Sequence, residues 1–278
     1  MSGYSFELVN VFAEERFGGN PLAVFSDASG LDEREMQLLA RQMNLSETVF
    51  LFPDGEAAAR LRIFTPSQEL PFAGHPTLGA AAALHWRGEL DSRFQLRTNA
   101  GLIPILHSDG VYTLRANPPS ARAAGLSRAQ AAAMLGLDEE DIALEPVWVD
   151  TGSEQLLIRA ASAGAVLRAR PVHALLLRDA TLRPGRSVAY LWHEDGGVAT
   201  VRLFFEQQGA VLEDPGTGSA CANLGGWCAL NGLGPLQWRV EQGAALARPN
   251  VLHLQVGAEG EILVGGRVQR VGRGEISL

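Results

Sequence analysis

Alternation of apolar and polar positions dominates the hydrophobic pattern of this chain and predicts β-strands through most of its length. Residues 59–64 alternate apolar with charged side chains until Phe64 breaks the pattern, as expected of a strand with one buried face. Residues 48–52 and 198–205 are rich in β-branched and aromatic side chains, which are typical of strands.

Two hairpins are predicted where a glycine follows an acidic residue between apolar runs. Asp109-Gly110 joins residues 102–106 to residues 111–114, and this dipeptide favours a two-residue turn. Glu259-Gly260 predicts a second turn of the same kind near the C-terminus.

Four helices are predicted from periodic apolar positions and from their end signals. Segment 32–43 has an apolar stripe, and Asp32 with Glu35 three residues on is a helix-start signal. The helix in segment 76–86 is predicted to start at Pro76, because proline is favoured at the first helical position. The other two predicted helices are 127–135 and 218–230. The bodies of 76–86 and 218–230 consist mostly of small residues, which predicts that sheet surrounds them closely.

The chain reads as two similar halves joined near Asn117-Pro118-Pro119, a linker-like segment. Each half contains an Arg-x-Phe triplet, a glycine turn and a small-residue helix. The intervals from Gly74 to Gly88 and from Gly218 to Gly232 each span 14 positions. We therefore predict two related domains, 1–117 and 118–265, each a curved sheet with one helix packed against it.

Composition and charge narrow the class of protein. With 46% hydrophobic and 19% charged residues, the chain can bury a core and is not expected to be disordered. A formal charge of −8 without a basic run argues against nucleic acid as a partner. No apolar run is long enough to span a membrane, and the N-terminus lacks a signal-peptide pattern, so a cytoplasmic protein is expected. Cys221 and Cys228 give no metal-type spacing, so no metal is predicted.

The starts of the two small-residue helices are predicted anion-binding positions. Gly74 precedes the first helix, and Gly218 and Ser219 open the second. Helix N-termini expose unpaired N–H groups with partial positive charge, and glycine lets a ligand approach the backbone. A small anionic substrate is therefore expected.

Three side chains are candidates for acid–base chemistry: Glu47, His75 and Asp214. Histidine titrates near neutrality and suits proton transfer, although His75 could equally cap its helix. Glu47 could be solvated, and an aspartate before proline commonly caps a turn. Residue spacing does not separate Glu47 and Asp214 from two other carboxylates, Glu69 and Glu213.

Six sequence blocks, taken together, resemble the signature of the PhzF family. They occur in the family's order through both halves: residues 18–24, 44–50, 62–66, 69–79, 213–220 and 274–278. The resemblance implies a diaminopimelate epimerase-like α/β fold with two similar domains, each a barrel-like sheet around a central helix, and a cleft between them. It also implies that a C-terminal strand at about 266–278 packs back on the first domain, and that the protein is a homodimer.

The same resemblance implies cofactor-free isomerase chemistry of the kind that converts a dihydro-hydroxyanthranilate in phenazine synthesis. In that family the glutamate matching Glu47 shuttles a proton between carbons, and residues matching His75 and Asp214 line the same site. The glycine turns hold the substrate carboxylate, so the predicted substrate-binding residues are Ser46, Gly74, Gly218 and Ser219. Burial raises the pKa of a carboxyl group, which suits such a group to taking and returning a proton near neutral pH.

Two alternatives to this isomerase stay open. Relatives that racemise amino acids use two cysteines beside the glycine turns. Here Ala73 precedes Gly74 and Pro215 precedes Gly216, so two-thiol racemisation is not expected. An epimerase or racemase of a small acid that uses carboxylates or His75 is one alternative, and a non-catalytic small-anion-binding protein is the other. A dinucleotide enzyme is not expected, because no Gly-x-Gly-x-x-Gly motif follows a strand.

Overall fold

The computed structural model describes residues 3–88 and 90–278, and the chain divides into two compact units. The first unit comprises Met1–Arg115 and Gly265–Leu278, and the second comprises Ala116–Val264. The first division lies two residues before the boundary predicted after residue 117, and the second lies one residue before the boundary predicted after residue 265.

Strands make up most of the regular structure in the described residues. They are β1 (Gly3–Val11), β2 (Asn20–Phe25), β3 (Glu47–Phe52), β4 (Ala59–Phe64), β5 (Glu69–Leu70), β6 (Arg93–Thr98), β7 (Gly101–Ser108), β8 (Val111–Arg115), β9 (Ser120–Ala123), β10 (Val147–Asp150), β11 (Gln155–Arg159), β12 (Thr181–Arg183), β13 (Arg186–Asp195), β14 (Val198–Gln207), β15 (Ala210–Asp214), β16 (Leu236–Gln242), β17 (Asn250–Val256) and β18 (Ile262–Ser277). The α-helices are α1 (Glu33–Met43), α2 (Gly74–His85), α3 (Arg128–Leu135), α4 (Ala163–Arg168), α5 (His173–Asp179) and α6 (Gly218–Leu230). Short 3-10 helices lie at Glu139–Asp141 and Ala244–Leu246.

The first unit is a closed sheet around one helix. Strand β1 runs antiparallel to β2, β2 parallel to β3, and β3 antiparallel to β4. Strand β4 pairs with β5 and lies parallel to β6, and β6, β7 and β8 form an antiparallel meander. Strand β18 pairs with β8 and, in its C-terminal part, with β1, which closes the barrel. The resident helix α2 is buried from His75 to Ala83, so small side chains are required on all of its faces.

The second unit repeats this strand order. Strand β10 runs antiparallel to β11, β11 parallel to β13, β13 antiparallel to β14, and β14 parallel to β16. Strand β15 pairs with β14 as β5 pairs with β4, and β9 pairs with the outer side of β10. Helix α6 is buried from Ala220 to Gly226 and takes the place of α2. The predicted duplication of a sheet around a small-residue helix therefore describes both units.

Local sequence signals account for several of these elements. Asp32 and Glu35 form a reciprocal capping box at the start of α1, as predicted. The turn between β7 and β8 is the predicted hairpin, because Asp109 and Gly110 both have positive φ, at 52° and 78°. No helix in the part of the chain that the structure describes is long and apolar enough to cross a membrane.

Two predicted features need correction, and two short helices have no predicted counterpart. Helix α2 begins at Gly74, two residues before the predicted start at Pro76. Proline is tolerated there because the N–H groups of the whole first turn lack helical acceptors. The turn at Glu259-Gly260 belongs to a five-residue loop, 257–261, rather than to a two-residue hairpin. Helices α4 and α5, of six and seven residues, lack a clear sequence signal and were not predicted.

Candidate active site

Strand registers place residues of the two units in corresponding positions around the start of each buried helix. Phe64 pairs with Glu69 in the first unit, and Phe204 pairs with Glu213 in the second. Each buried helix then begins five residues after that glutamate, at Gly74 or at Gly218. His75 therefore corresponds to Ser219.

Glu69 and Glu213 occupy equivalent ion pairs, which separates them from the other carboxylates. Arg62 donates from Nε and Nη2 to the two carboxylate oxygens of Glu69, at 2.8 and 2.6 Å. Arg202 donates to Glu213 in the same two-pronged way, at 3.0 and 2.6 Å. The hydrogen bond from Arg62 holds the pKa of Glu69 below its ordinary value. Because both units contain this ion pair, we assign Glu69 and Glu213 to the structural framework of the fold, here called the frame.

Glu47 and His75 form a close pair in the first unit, here called the Glu47 centre. Glu47 is the first residue of β3, and it follows a turn in which Asn44 ends α1 with a left-handed backbone, φ 52°. Its Oε2 lies 3.6 Å from Nε2 of His75, the second residue of α2. The side chains are 17% and 7% exposed, so the pair is largely shielded from water.

His75 is a neutral ring with a fixed tautomer. Burial lowers the pKa of His75 to about 3, and a hydrogen bond with the Pro21 carbonyl offsets part of this effect. Nε2 is buried and makes no hydrogen bond within the described residues, so the ring bonds the Pro21 carbonyl through Nδ1. A carbonyl only accepts, so Nδ1 carries the hydrogen and Nε2 turns its lone pair toward Glu47.

Ser46 and Gly74, the predicted substrate-binding residues of the first unit, flank this pair in sequence. Ser46 precedes Glu47 and its side chain is exposed. Gly74 is the first residue of α2, and Ala73 before it caps the helix without a side-chain hydrogen bond. The first turn of α2 therefore has backbone N–H groups that no capping side chain satisfies.

Asp214 stands at the start of a tightly bonded turn in the second unit, here called the Asp214 centre. The Thr217 hydroxyl donates to Asp214 Oδ2. Gln242, 2% exposed, accepts from the Thr217 N–H at 3.1 Å and donates to the Asp214 carbonyl at 2.8 Å. Gln242 Nε2 also donates to Thr217 Oγ1 at 3.0 Å, which directs the hydroxyl hydrogen toward the carboxylate. Gln242 escaped notice in the sequence, because a glutamine at a strand end has no motif.

Gly218 and Ser219, the predicted substrate-binding residues of the second unit, are the first two residues of α6. Ser219 Oγ accepts a hydrogen bond from Gln155 Nε2 at 3.0 Å. Gln155 in turn accepts from Asn223 at 2.7 Å, and both amide side chains are buried. Neither residue belongs to a recognisable motif, and both were missed in the sequence.

The cysteines and the helix caps exclude a two-thiol site. The residue that caps α6, in the position of Ala73, is Thr217 and not Pro215 as the sequence comparison assumed. Neither position holds a thiol. Cys221 and Cys228 are both buried, and burial raises the pKa of Cys228 to about 12 and that of Cys221 further. Within the described residues, no group of three His, Cys, Asp or Glu side chains is placed to hold a metal ion.

Comparison with known proteins places this geometry in a family. The model of the phenazine biosynthesis-like protein family matches residues 9–272. An uncharacterized isomerase of Pasteurella multocida is 49% identical, over 99% of this chain and 95% of its own length. The trans-2,3-dihydro-3-hydroxyanthranilate isomerase of Pseudomonas aeruginosa is 33% identical, over 93% of this chain and 92% of its own.

Solved structures agree with the fold. A phenazine biosynthesis protein of the PhzF family from Bacillus anthracis superimposes with a TM-score of 0.90 at 25% identity, and the match covers 100% of both chains. A hydroxyproline epimerase from Agrobacterium vitis superimposes with a TM-score of 0.63 at 13% identity, over 99% of this chain and 91% of that one, and it shows the fold alone.

The fold is therefore that of the diaminopimelate epimerase-like proteins. The relatives at 49% and 33% identity are named isomerases, and this protein is an isomerase. The chain belongs to the phenazine biosynthesis-like, or PhzF, family. The predicted family and fold are confirmed, and the alternative of a non-catalytic small-anion-binding protein is set aside.

Proposed function

We propose that this isomerase moves a proton between two carbons of a small carboxylate-bearing metabolite without a cofactor, with Glu47 as the group that carries the proton. Trans-2,3-dihydro-3-hydroxyanthranilate, named for the Pseudomonas aeruginosa relative, is the first substrate to test. The carboxylate takes a proton from one carbon, the electron pair moves into the adjoining π system, and the carboxylic acid returns the proton to a second carbon. Nothing is oxidised or reduced.

The observation that carries the proposal is the contact between Glu47 and the neutral ring of His75. Nε2 of His75 can accept a hydrogen bond from a protonated carboxyl, and it has no hydrogen to give to an ionised one. The two side chains therefore do not form a permanent ion pair, and a carboxyl group that has taken a proton from carbon has an acceptor for that proton in the ring. Proton transfer at carbon requires a group that can hold the proton and return it.

Asp214, Gly218 and Ser219 serve substrate binding in this proposal. Asp214 is placed to accept from a polar group of the substrate, and the first turn of α6 is suited to an anionic group. A homodimer and a cytoplasmic location remain part of the proposal through the family resemblance.

The test is incorporation of solvent deuterium into trans-2,3-dihydro-3-hydroxyanthranilate, followed by mass spectrometry. We expect the wild-type protein to label its product and Glu47→Gln to lose at least about a thousandfold in rate, since the amide cannot take a proton. Glu69→Gln is the matched control, because its carboxylate belongs to an ion pair in the same unit, and it should label normally.

The position of the label separates the remaining reaction types. Deuterium at a new carbon with a shifted double bond identifies isomerisation, whereas deuterium at an inverted stereocentre identifies epimerisation without thiols. Equal labelling by wild type and Glu47→Gln would remove Glu47 from the mechanism.

A further inference from the structure

A buried series of hydrogen bonds, here called the chain, leads through Asn223 and Gln155 to Ser219. Backbone atoms at its Asn223 end determine its direction, that is, which group donates and which accepts at each step. The N–H of Thr151 donates to Asn223 Oδ1 at 2.9 Å, and Asn223 Nδ2 donates to the carbonyl of Ser153 at 2.8 Å. A backbone donor contacts one end of the amide and a backbone acceptor contacts the other. The orientation of the Asn223 amide group is thus fixed by groups that cannot exchange roles.

The direction passes from Asn223 through Gln155. Asn223 Nδ2 also donates to Gln155 Oε1 at 2.7 Å, which leaves Gln155 Nε2 facing Ser219 Oγ at 3.0 Å. An amide nitrogen donates and does not accept, so the serine oxygen is the acceptor. Gln155 is the one hydrogen-bond partner of this hydroxyl among residues 3–88 and 90–278, and the hydroxyl hydrogen therefore has no protein acceptor there.

The first unit shows that the fold does not require this chain. In the first unit Leu22 pairs with Glu47. The equivalent position in the second unit lies one residue before the Leu156–Ala189 pair and is occupied by Gln155. Leu22 therefore corresponds to Gln155. Gly79 and Asn223 each lie five residues after the first residue of the buried helix. A Cβ on Gly79 would lie 2.4 Å from Cδ2 of Leu22, so this pair is a tightly packed apolar contact.

Two buried amides replace an apolar contact, and such a replacement costs free energy unless every polar atom is paired. Gln155 is 4% exposed and Asn223 is fully buried. The Thr151 hydroxyl supplies a further bond to Asn223 Oδ1, at 2.7 Å. A chain this completely paired, ending on the one serine at the start of α6, points to a role at that serine.

We propose that Gln155 and Asn223 are positioning residues that direct the hydrogen of the Ser219 hydroxyl away from Gln155, and that the hydroxyl donates this hydrogen to the substrate carboxylate. The inference rests on the proposed function for the identity of the substrate. It adds that the hydroxyl hydrogen at this position favours a charged acceptor oxygen of the substrate over a neutral group.

Two substitutions reverse the direction of the chain with little change in shape. In Gln155→Glu one oxygen still accepts from Asn223, and the other replaces the donor that faces Ser219. In Asn223→Asp the aspartate cannot donate to Gln155, so the Gln155 amide turns over and presents its oxygen to Ser219. In both cases the serine hydroxyl turns inward and is lost to the substrate. Thr151→Val is the matched control, because it removes a hydroxyl bond and leaves the direction unchanged.

Kinetics with trans-2,3-dihydro-3-hydroxyanthranilate test the proposal. Gln155→Glu and Asn223→Asp should raise KM about tenfold or more with kcat within about threefold, the size expected for loss of a hydrogen bond to a charged group. Thr151→Val should lower the melting temperature and leave KM within about twofold. In a Ser219→Ala background the two reversing substitutions should change KM little further. A KM that rises equally in Thr151→Val, or that rises undiminished without Ser219, overturns the proposal.

Binding of anthranilate and of its neutral analogue anthranilamide, measured by calorimetry, gives a readout independent of turnover. Wild type should prefer anthranilate, and both reversing substitutions should reduce the preference about tenfold. An unchanged preference in folded Gln155→Glu and Asn223→Asp also overturns the proposal. Failure of the proposed function has a different signature, since wild type would then show no deuterium exchange while the anthranilate preference still responds to these substitutions.

Discussion

The two units of this isomerase have the same strand order, and they differ at the residues that are candidates for catalysis and substrate binding. Both keep the Arg–Glu pair at the strand before the buried helix, Arg62 with Glu69 and Arg202 with Glu213. Glu47 has Val188 as its counterpart, since Thr48 pairs with Phe64 as Ala189 pairs with Phe204. Residues that both units share belong to the frame. Residues that differ between the units are the candidates for catalysis and substrate binding.

The variation at the helix starts follows a pattern of hydrogen-bonding direction. His75 bonds a backbone carbonyl through Nδ1 and presents Nε2 as an acceptor. Ser219, in the corresponding position, receives a bond from Gln155 and presents its hydrogen as a donor. One fold thus offers an acceptor in one unit and a donor in the other, which suits a proton-carrying group in the first and an anion-binding group in the second.

The largest expected effect breaks the frame in the second unit. Arg202 and Glu213 have side chains only 7% and 9% exposed, and Arg202 also donates to the carbonyl of Ala169 at 2.8 Å. Arg202→Met would leave a buried carboxylate without its cation and should cost about 3–5 kcal/mol of the free energy of unfolding, measured by urea denaturation. Arg62→Met should cost about 1–2 kcal/mol, because the Arg62–Glu69 pair is 17% and 21% exposed.

The double variant Arg202→Met with Glu213→Gln is the control for this comparison. Removing the charge left by the first change should recover most of the lost stability, since the penalty comes from an unpaired buried charge. If the single variant Arg202→Met is no less stable than Arg62→Met, burial does not distinguish the two pairs.

Much of the fold follows from local signals in the sequence. The alternation in β4, the Asp109-Gly110 turn and the Asp32 cap act within a few residues, and each predicts its element correctly. The short helices α4 and α5 do not, because six or seven residues carry too little periodicity and tertiary contacts decide them.

The structural carboxylates can be distinguished from the candidate catalytic ones only by their ion-pair partners, which are distant in sequence. Glu69 and Glu213 are assigned to the frame by Arg62 and Arg202 across a strand pair. The repeat itself held the signal, because each glutamate follows an Arg-x-Phe triplet and precedes the first helix glycine by five residues. Gln155, Asn223 and Gln242 had no such signal, since their importance lies in the direction of buried hydrogen bonds.

A pH experiment sharpens the difference between His75 and Ser219. The pKa of His75 falls from 6.5 to about 3 on folding, so between these values the unfolded chain binds a proton that the folded chain does not. The contribution of His75 to the free energy of unfolding is therefore fully present above pH 6.5 and is lost as pH falls toward 3. At pH 5 the loss is about 2 kcal/mol, and His75→Asn should remove this part of the pH dependence in urea denaturation.

Two matched variants control the pH experiment. Glu47 lies 3.6 Å from the ring, so the comparison is repeated in a Glu47→Gln background, where the effect of His75→Asn should persist. Ser219→Ala changes the corresponding position in the second unit and should leave the pH dependence as in wild type, because a hydroxyl does not titrate in this range. A pH dependence unchanged by His75→Asn would mean that the ring is not held neutral.

The smallest expected effect concerns the helix caps, where Ala73 corresponds to Thr217. Neither buried helix has a side-chain cap hydrogen bond, so the Thr217 hydroxyl is not needed to start α6. In the second unit it donates to Asp214, whose counterpart in the first unit is Leu70. Thr217→Ala should therefore cost at most about 1 kcal/mol of stability and lower the deuterium-exchange rate about tenfold, the size expected for one hydrogen bond to a carboxylate.

Thr217→Ser is the matched control for this last comparison, because it keeps the hydroxyl that Gln242 directs toward Asp214 and removes only a methyl group. The exchange rate of Thr217→Ser should stay within about twofold of wild type, while Thr217→Val, which keeps the shape and loses the hydroxyl, should resemble Thr217→Ala. If the alanine, valine and wild-type proteins exchange deuterium at the same rate, the hydroxyl does not act on Asp214 in the reaction. The two helix starts would then differ in sequence without differing in chemistry.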